Sequence, residues 1–250
     1  MQYKQVDGID LSLWVLQPKD VGAKDLLPTR AAVVLFYGGG WTHGTTAQLG
    51  AQAKAIALHG AVAVLVQYRL MPDRKQEPRI CVEDSKSAIR WVRAHAKQLK
   101  IDPTRIVVGG ASAGGYNAAY ATMAPGWDAP GDDLEISPAG NAMVLWNPVI
   151  DTSESGYSHI TFGNDAPKRS PMTYLNKDTP PMLIQSGAND IWIHKDVLQA
   201  FQTKAKALGV RCEVIFYDGQ KHGFFNDEPF LSQTTDAMIR FLASLGYVHP

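Results

Sequence analysis

Net charge is what this sequence lacks most plainly: Lys and Arg together number 24, Asp and Glu also number 24, and the formal charge is zero. Without a basic excess there is no electrostatic footprint for nucleic acid or for an anionic lipid surface. No block of like charge marks a solvated tail either. Cysteine is scarce, with 2 in 250 residues. Cys81 and Cys212 make no C-x-x-C pair and join no histidine cluster at ligand spacing, so no structural metal and no cofactor is expected. Two buried free thiols are the preferred reading, with a disulfide between them the alternative. Long apolar runs are missing too: none approaches the roughly 18 residues that a membrane span needs. The start, Met1-Gln2-Tyr3-Lys4-Gln5-Val6, has no charged-then-apolar leader pattern. As given, the chain reads as soluble and cytoplasmic, and as exported only if Met1 replaces a removed leader. These absences leave a small molecule or a neutral polymer as the partner.

What is present is a large apolar complement, 45% of residues, enough to bury a substantial core. Apolar β-type runs alternate with helical patterns. Strands are expected at 11–16, 32–37, 62–68, 106–109, 142–146, 181–185 and 212–217, and helices at 47–59, 83–99, 115–122, 195–208 and 231–245. Several strands are continuous Val/Ile/Leu/Ala runs, which suits burial on both faces of a parallel sheet. With no repeat, linker or low-complexity tract, residues 1–250 read as one doubly wound α/β domain whose site lies at the carboxyl ends of the strands. Two long stretches, 123–140 and 151–178, interrupt the rhythm. Both are expected as small lid-like insertions overhanging that edge.

The motif that carries chemistry is Gly110-Ala111-Ser112-Ala113-Gly114. It follows the run Arg105-Ile106-Val107-Val108 and precedes a helical pattern, and strand, tight turn, helix is the context a nucleophile elbow requires. A serine nucleophile needs an imidazole base, and the imidazole needs a carboxylate that fixes its tautomer. Of 7 histidines, His222 has the fitting place, on a Gly-flanked loop after the last strand. His43, His159 and His194 lie near the same edge as lesser binding candidates. His59, His95 and His249 suit surface or capping roles. Two aspartates compete for the acid. Asp190 follows the strand before the one that leads to His222, and Asp151 follows the strand before that. Asp190 is preferred, with Asp151 a structural cap; Asp84 and Asp218 read as helix-face and turn residues. Backbone donors for an oxyanion are expected from Ala113, next to the serine, and from Gly38-Gly39-Gly40 after an earlier strand.

These pieces, together with Trp41, Gly60 to Arg69, Cys81 to Asp84, Ile101-Asp102-Pro103, Asn147 to Asp151 and Gln220 to Asn226, resemble the α/β-hydrolase superfamily over nearly the whole chain. The likeness is to esterases with an H-G-G-G-W oxyanion motif, in the bacterial acetylesterase and carbohydrate-esterase-like branch that includes acetyl xylan and feruloyl esterases. The resemblance implies Ser112 as nucleophile, Asp190 as acid, His222 as base, and Gly39, Gly40 and Ala113 as oxyanion donors. It also implies a mostly parallel sheet flanked by helices. Two positions depart from the pattern: Tyr37 stands where the family has His before the glycines, and Ser186 where a His often precedes Gly187. Tyr37 can brace the loop through its hydroxyl.

The function expected is a metal-independent serine esterase acting on short, acetyl-type esters of a small molecule or saccharide. Trp41, Trp192 and Tyr37 are candidate substrate contacts. The alternatives are a feruloyl or aryl esterase, and a non-catalytic ligand-binding protein that keeps the fold.

Overall fold

The computed structural model describes residues 1–18, 30–73, 77–153, 156–157 and 162–250. Its centre is an eight-stranded sheet made of β1 (Gln2–Val6), β2 (Ile9–Leu16), β3 (Arg30–Phe36), β4 (Val62–Val66), β5 (Ile101–Ala111), β6 (Ala142–Trp146), β7 (Met182–Gly187) and β8 (Cys212–Tyr217), in the order β1-β2-β4-β3-β5-β6-β7-β8. Neighbours from β4 through β8 pair in parallel, and β1 and β2 add an antiparallel edge. The helices are α1 (Gly50–Leu58), α2 (Arg79–Ala94), α3 (Ala96–Leu99), α4 (Ala113–Met123), α5 (Ala166–Arg169), α6 (Lys195–Ala207) and α7 (Phe230–Ser244).

Successive side chains of a strand point to opposite faces, and β3 shows what that does here. Ala32, Val34 and Phe36 enter one core with Val82 and Ile89 of α2, Tyr116 of α4 and Phe201 of α6. Ala31, Val33 and Leu35 enter a second core with Ala53 and Ile56 of α1 and Met238 and Leu242 of α7. A strand covered on both sides has no polar face, which is why its sequence is a continuous apolar run. Each fully buried Val, Leu or Phe contributes about 1.5–3 kcal/mol, so Phe36→Ala is a change of about 3–5 kcal/mol against folding. Parallel strands put their carboxyl ends on one edge. The loops after β3, β5, β6, β7 and β8 therefore gather there.

The structure differs from the expectations in four places. The strand β1 is additional. It is a polar edge strand turned into β2 by Asp7 and Gly8, both at positive φ, and it carries none of the apolar density that marks the central strands. Residues 124–140 follow a helix, not a strand, and so do not overhang the serine edge. They lie along α2: Arg90 donates to Asp128 at 2.6 Å, Asp132 at 2.8 Å and the Ile136 carbonyl at 2.9 Å, and Lys86 donates to the carbonyls of Ala124 and Gly126. Asp84 is not a helix-face residue but a fully buried charge. It accepts from Lys4 at 2.6 Å and from Arg69 Nε at 2.8 Å, Nη2 at 3.0 Å and backbone N at 3.0 Å. Both cysteines are free, but only Cys81 is buried; Cys212 is half-buried.

Candidate active site

Ser112 sits between the end of β5 and the start of α4 with φ 52 and ψ −114, a conformation that a side-chain-bearing residue adopts only when its surroundings enforce it. Those surroundings are backbone. A Cβ on Gly110 would run into the Gly114 carbonyl, and one on Gly114 into the carbonyls of Phe36 and Tyr37. The two glycines of the motif are thus close-approach positions. Ser112 N–H donates to the Trp146 carbonyl at 2.9 Å, and the Ser112 carbonyl accepts from Tyr116 and Val149. The elbow is pinned to both β6 and α4.

His222, on the loop after β8, bridges two groups. Its Nε2 is 2.9 Å from Ser112 Oγ, and its Nδ1 is 2.7 Å from Asp190 Oδ2. The Asp190 side chain is completely buried. Its other oxygen accepts from the backbone N–H groups of Trp192 at 2.9 Å and Ile193 at 3.0 Å. One carboxylate oxygen is therefore fixed by the turn and the other is presented to the imidazole. With Nδ1–H donating to Asp190, Nε2 is left as the acceptor for the serine hydroxyl. Asp151 lies elsewhere: its Oδ1 accepts from Ser153 N–H at 2.9 Å and from Ser170 Oγ at 3.1 Å, capping its own turn.

The loop after β3 turns at Gly39 (φ 133) and Gly40 (φ 58). A side chain on Gly39 would collide with the His43 carbonyl. Gly38 N–H donates to Gln48 Oε1 at 2.6 Å, which leaves Gly39 and Gly40 as the glycines whose amides are candidates to face an oxyanion. Ala113 is the first residue of α4, where helix geometry gives the N–H no partner within the helix.

A cavity of about 250 Å³ opens over the serine, with His43, Asn147, Tyr157, Trp192 and Phe225 among its walls. Trp192 is half exposed at the rim, its ring centroid 4.7 Å from that of His222. Two expected contacts are corrected. Trp41 is buried, donates to Asn117 Oδ1 at 3.1 Å and packs edge-on against Tyr116 and Phe162; it is core. Tyr37 is buried behind the glycine loop, where its ring stacks on Tyr68 at 4.4 Å. Its hydroxyl donates to the Tyr68 carbonyl at 3.3 Å, and Tyr68 returns a bond to the Tyr37 carbonyl at 2.7 Å. Burial pushes the Tyr37 phenol up to about 12, so it stays a donor. It lines a second cavity of about 620 Å³ with Trp14, Gly44 and Arg69, which shares no lining residue with the serine cavity.

Of the other histidines, His43 lines the serine cavity, whereas His194 borders α6. His95 stacks on Trp91 and bonds its carbonyl, and His59 bonds the His249 carbonyl. His159 lies outside the described residues. Ser186 is buried with no partner for its hydroxyl among the described residues. Asn147, Tyr157 and Gln48 are cavity-side residues that motif reading passed over. The one available signal was an Asn-Pro pair at the end of a central strand. No group of three His, Cys, Asp or Glu side chains among the described residues could hold a metal ion, and no described helix is long and apolar enough to cross a membrane.

Comparison with known proteins adds the following. A family model described as BD-FAE matches residues 23–152, and one described as the dienelactone hydrolase family matches residues 154–245. Carboxylesterase NlhH of Mycobacterium tuberculosis is 41% identical over 165 residues, covering 64% of this chain and 46% of that protein. Esterase LipC of the same organism is 28% identical over 232 residues, covering 82% of this chain and 56% of that protein. The chain thus spans about half the length of these curated relatives. Thermogutta terrifontis esterase 2, solved phosphoramylated by tabun, superimposes with a TM-score of 0.91 at 37% identity, covering 100% of this chain and 95% of that one. The same esterase has been solved with propionate and with butyrate bound.

Proposed function

The chain belongs to the BD-FAE family and has an α/β-hydrolase fold, and from that premise we propose that it is a carboxylic-ester hydrolase working through an acyl-enzyme on Ser112. The observation that carries this reading is the pair of contacts on His222, 2.9 Å to Ser112 Oγ and 2.7 Å to Asp190. Ser112 attacks the ester carbonyl while its proton passes to His222 Nε2, and the carbonyl π pair moves onto oxygen. Asp190 holds the imidazole in the tautomer that can accept this proton and offsets the charge it gains. The N–H groups of Ala113, Gly39 and Gly40 take the developing oxyanion. His222 then gives its proton to the departing alcohol, and water repeats the sequence on the acyl-enzyme.

The acyl group is short, acetate or propionate, because the cavity over Ser112 holds about 250 Å³ and has Tyr157, Trp192 and Phe225 among its walls. The propionate and butyrate complexes of the Thermogutta terrifontis esterase support that size. The alcohol is a sugar or other polyol lying against Trp192, whose half-exposed ring offers an apolar stacking face at the rim. A series of aryl esters from two-carbon to about ten-carbon acyl groups, run beside acetylated saccharides and in the presence of a chelator, tests the assignment. The expected outcome is highest kcat/KM for acetyl and propionyl esters, turnover of at least one saccharide acetate, and no effect of the chelator. A preference for acyl chains of eight or more carbons contradicts the short-acyl reading, and loss of activity restored by zinc contradicts the metal-free one.

A further inference from the structure

Asn147 is the residue after β6, and its backbone is in the left-handed region at φ 34. Proline follows it, which normally drives the preceding residue to extended conformations, so this position is held by its surroundings. Its N–H donates to the Gln185 carbonyl at 2.7 Å. Its side chain is completely buried, yet it lines the serine cavity. Asn147 Nδ2 is 3.3 Å from His222 Nε2, and Asn147 Oδ1 has no partner among the described residues.

Two features of that arrangement are unfavourable in the resting state. A neutral imidazole nitrogen has one in-plane lone pair, and Ser112 Oγ, at 2.9 Å, already claims it. A buried carbonyl oxygen without a donor costs about 1–3 kcal/mol. Proton transfer changes the terms of that arrangement. Once Ser112 has transferred its proton, Nε2 bears a hydrogen, and a carboxamide turned end for end presents Oδ1 to it.

We propose that Asn147 is a positioning residue that acts through His222, with its carboxamide turning over as the imidazole gains its proton and Oδ1 then accepting from Nε2–H. The contact holds the imidazolium while the serine oxygen bonds to carbon, and it breaks as the proton leaves with the alcohol and the C–O bond cleaves. No group beyond Ser112, His222 and the ester is consumed. The inference rests on the hydrolase reading. The groups facing His222 are the Asp190 carboxylate at Nδ1, the Trp192 ring, and Ser112 and Asn147 at Nε2. His43 lines the same cavity, and neighbouring Lys221 is exposed. Among the described residues Asp190 is thus the carboxylate bonded to the ring, and Asn147 the neutral amide.

The test is an NMR titration of His222 in the full chain, wild type against Asn147→Gly and Asn147→Asp, with steady-state kinetics on an aryl acetate alongside. Glycine relieves the backbone strain while removing the amide, so it separates a backbone role from a side-chain role. The expected midpoint falls by about 1 pH unit in Asn147→Gly, a tenfold change in the protonation constant. It rises by about 1–3 units in Asn147→Asp, where a carboxylate replaces the amide beside the ring. In the kinetics, Asn147→Gly is expected to lower kcat by about tenfold or more with KM within about twofold, as for a contact made in the transition state only. An unchanged midpoint in Asn147→Gly, or wild-type kcat in that variant, overturns the proposal. The titration reads the contact whether or not the enzyme turns over, and absence of wild-type ester hydrolysis would strike the hydrolase reading alone.

Discussion

Two carboxylate side chains among the described residues, those of Asp84 and Asp190, are completely shielded from water, and they keep opposite kinds of partner. Asp84, on α2, is surrounded by permanent cations: Lys4 from β1 and Arg69 from the loop after β4 both bond to it. Asp190, after β7, has no lysine or arginine bonded to it among the described residues. Two backbone N–H groups hold one of its oxygens, and His222 meets the other. A carboxylate saturated by fixed charges joins elements and has no spare capacity. One held by neutral amides keeps an oxygen for a partner that changes charge during a reaction. The difference lies in the partners, and on the proposed mechanism it makes Asp84 a part of the architecture and Asp190 a part of the chemistry.

The comparison is broken first at the nucleophile. Ser112→Ala is expected to lower ester turnover by three orders of magnitude or more while leaving the unfolding midpoint within a few degrees of wild type, since the triad acts as a unit. Stopped assays with a sensitive aryl acetate read the residual rate, and near-wild-type turnover would remove Ser112 from the mechanism. Next is the acid. Asp190→Asn keeps the shape but alters the tautomer preference of His222, and a loss of about 10³–10⁴ in kcat is expected. Asp151→Asn is expected to cost less than about tenfold, because that side chain caps Ser153 and Ser170. If the two losses come in the reverse order, Asp151 is the acid.

Asp84→Asn sharpens the contrast from the other side. It leaves Lys4 and Arg69 without their buried counter-charge, so denaturant unfolding should show a stability loss of about 3–5 kcal/mol. The kcat of the folded fraction should stay within about threefold. A kcat collapse with unchanged stability would mean that the two carboxylates have been assigned the wrong way round.

Smaller effects come from the buried phenols. Burial holds Tyr37, Tyr68 and Tyr116 above the ordinary tyrosine range, Tyr37 at about 12. Above about pH 10 the unfolded chain releases these protons while the folded chain keeps them, so stability falls as pH rises through that range. The Tm should therefore decline from about pH 10 upward. Replacement of Tyr37 by Phe should leave a shallower decline. Tyr37→His should change kcat by no more than about tenfold, within about 1.4 kcal/mol of barrier, because Tyr37 braces the loop from behind and does not line the serine cavity. A rescue above a hundredfold would mean that the wild-type oxyanion loop is misaligned.

How far such roles could be read without coordinates depended on whether they leave a local pattern. The central strands were legible because a strand covered on both faces is a dense run such as Ala31-Ala32-Val33-Val34-Leu35-Phe36. β1 was not, since a polar edge strand looks like any exposed segment. Ser112 and His222 announced themselves through glycine-flanked turns after strands, and both lie where those turns meet. Asp190 is preferred in the sequence for lying one strand before His222, but spacing alone does not exclude Asp151, as each follows a strand by a few residues; the direction of the side chain separates them. Trp41 and Tyr37 read as binding residues because aromatics near a glycine loop suit a wall and a core equally. Only packing reveals that both face away from the serine. Asp84 and Asn147 owe their environments to residues distant in sequence, Lys4 and Arg69 in one case and His222 in the other; nothing local marks Asp84, and the Asn-Pro pair that marks Asn147 says only that a strand ends there.

The central claim is that Ser112, activated by His222 and Asp190, is a nucleophile, and covalent labelling tests it most directly. An organophosphonate should add one phosphonyl group to the intact wild-type chain, and peptide mapping should place it on the segment containing Ser112. Ser112→Ala should take up none. An unlabelled wild-type chain, or an adduct that persists in Ser112→Ala, would contradict the account.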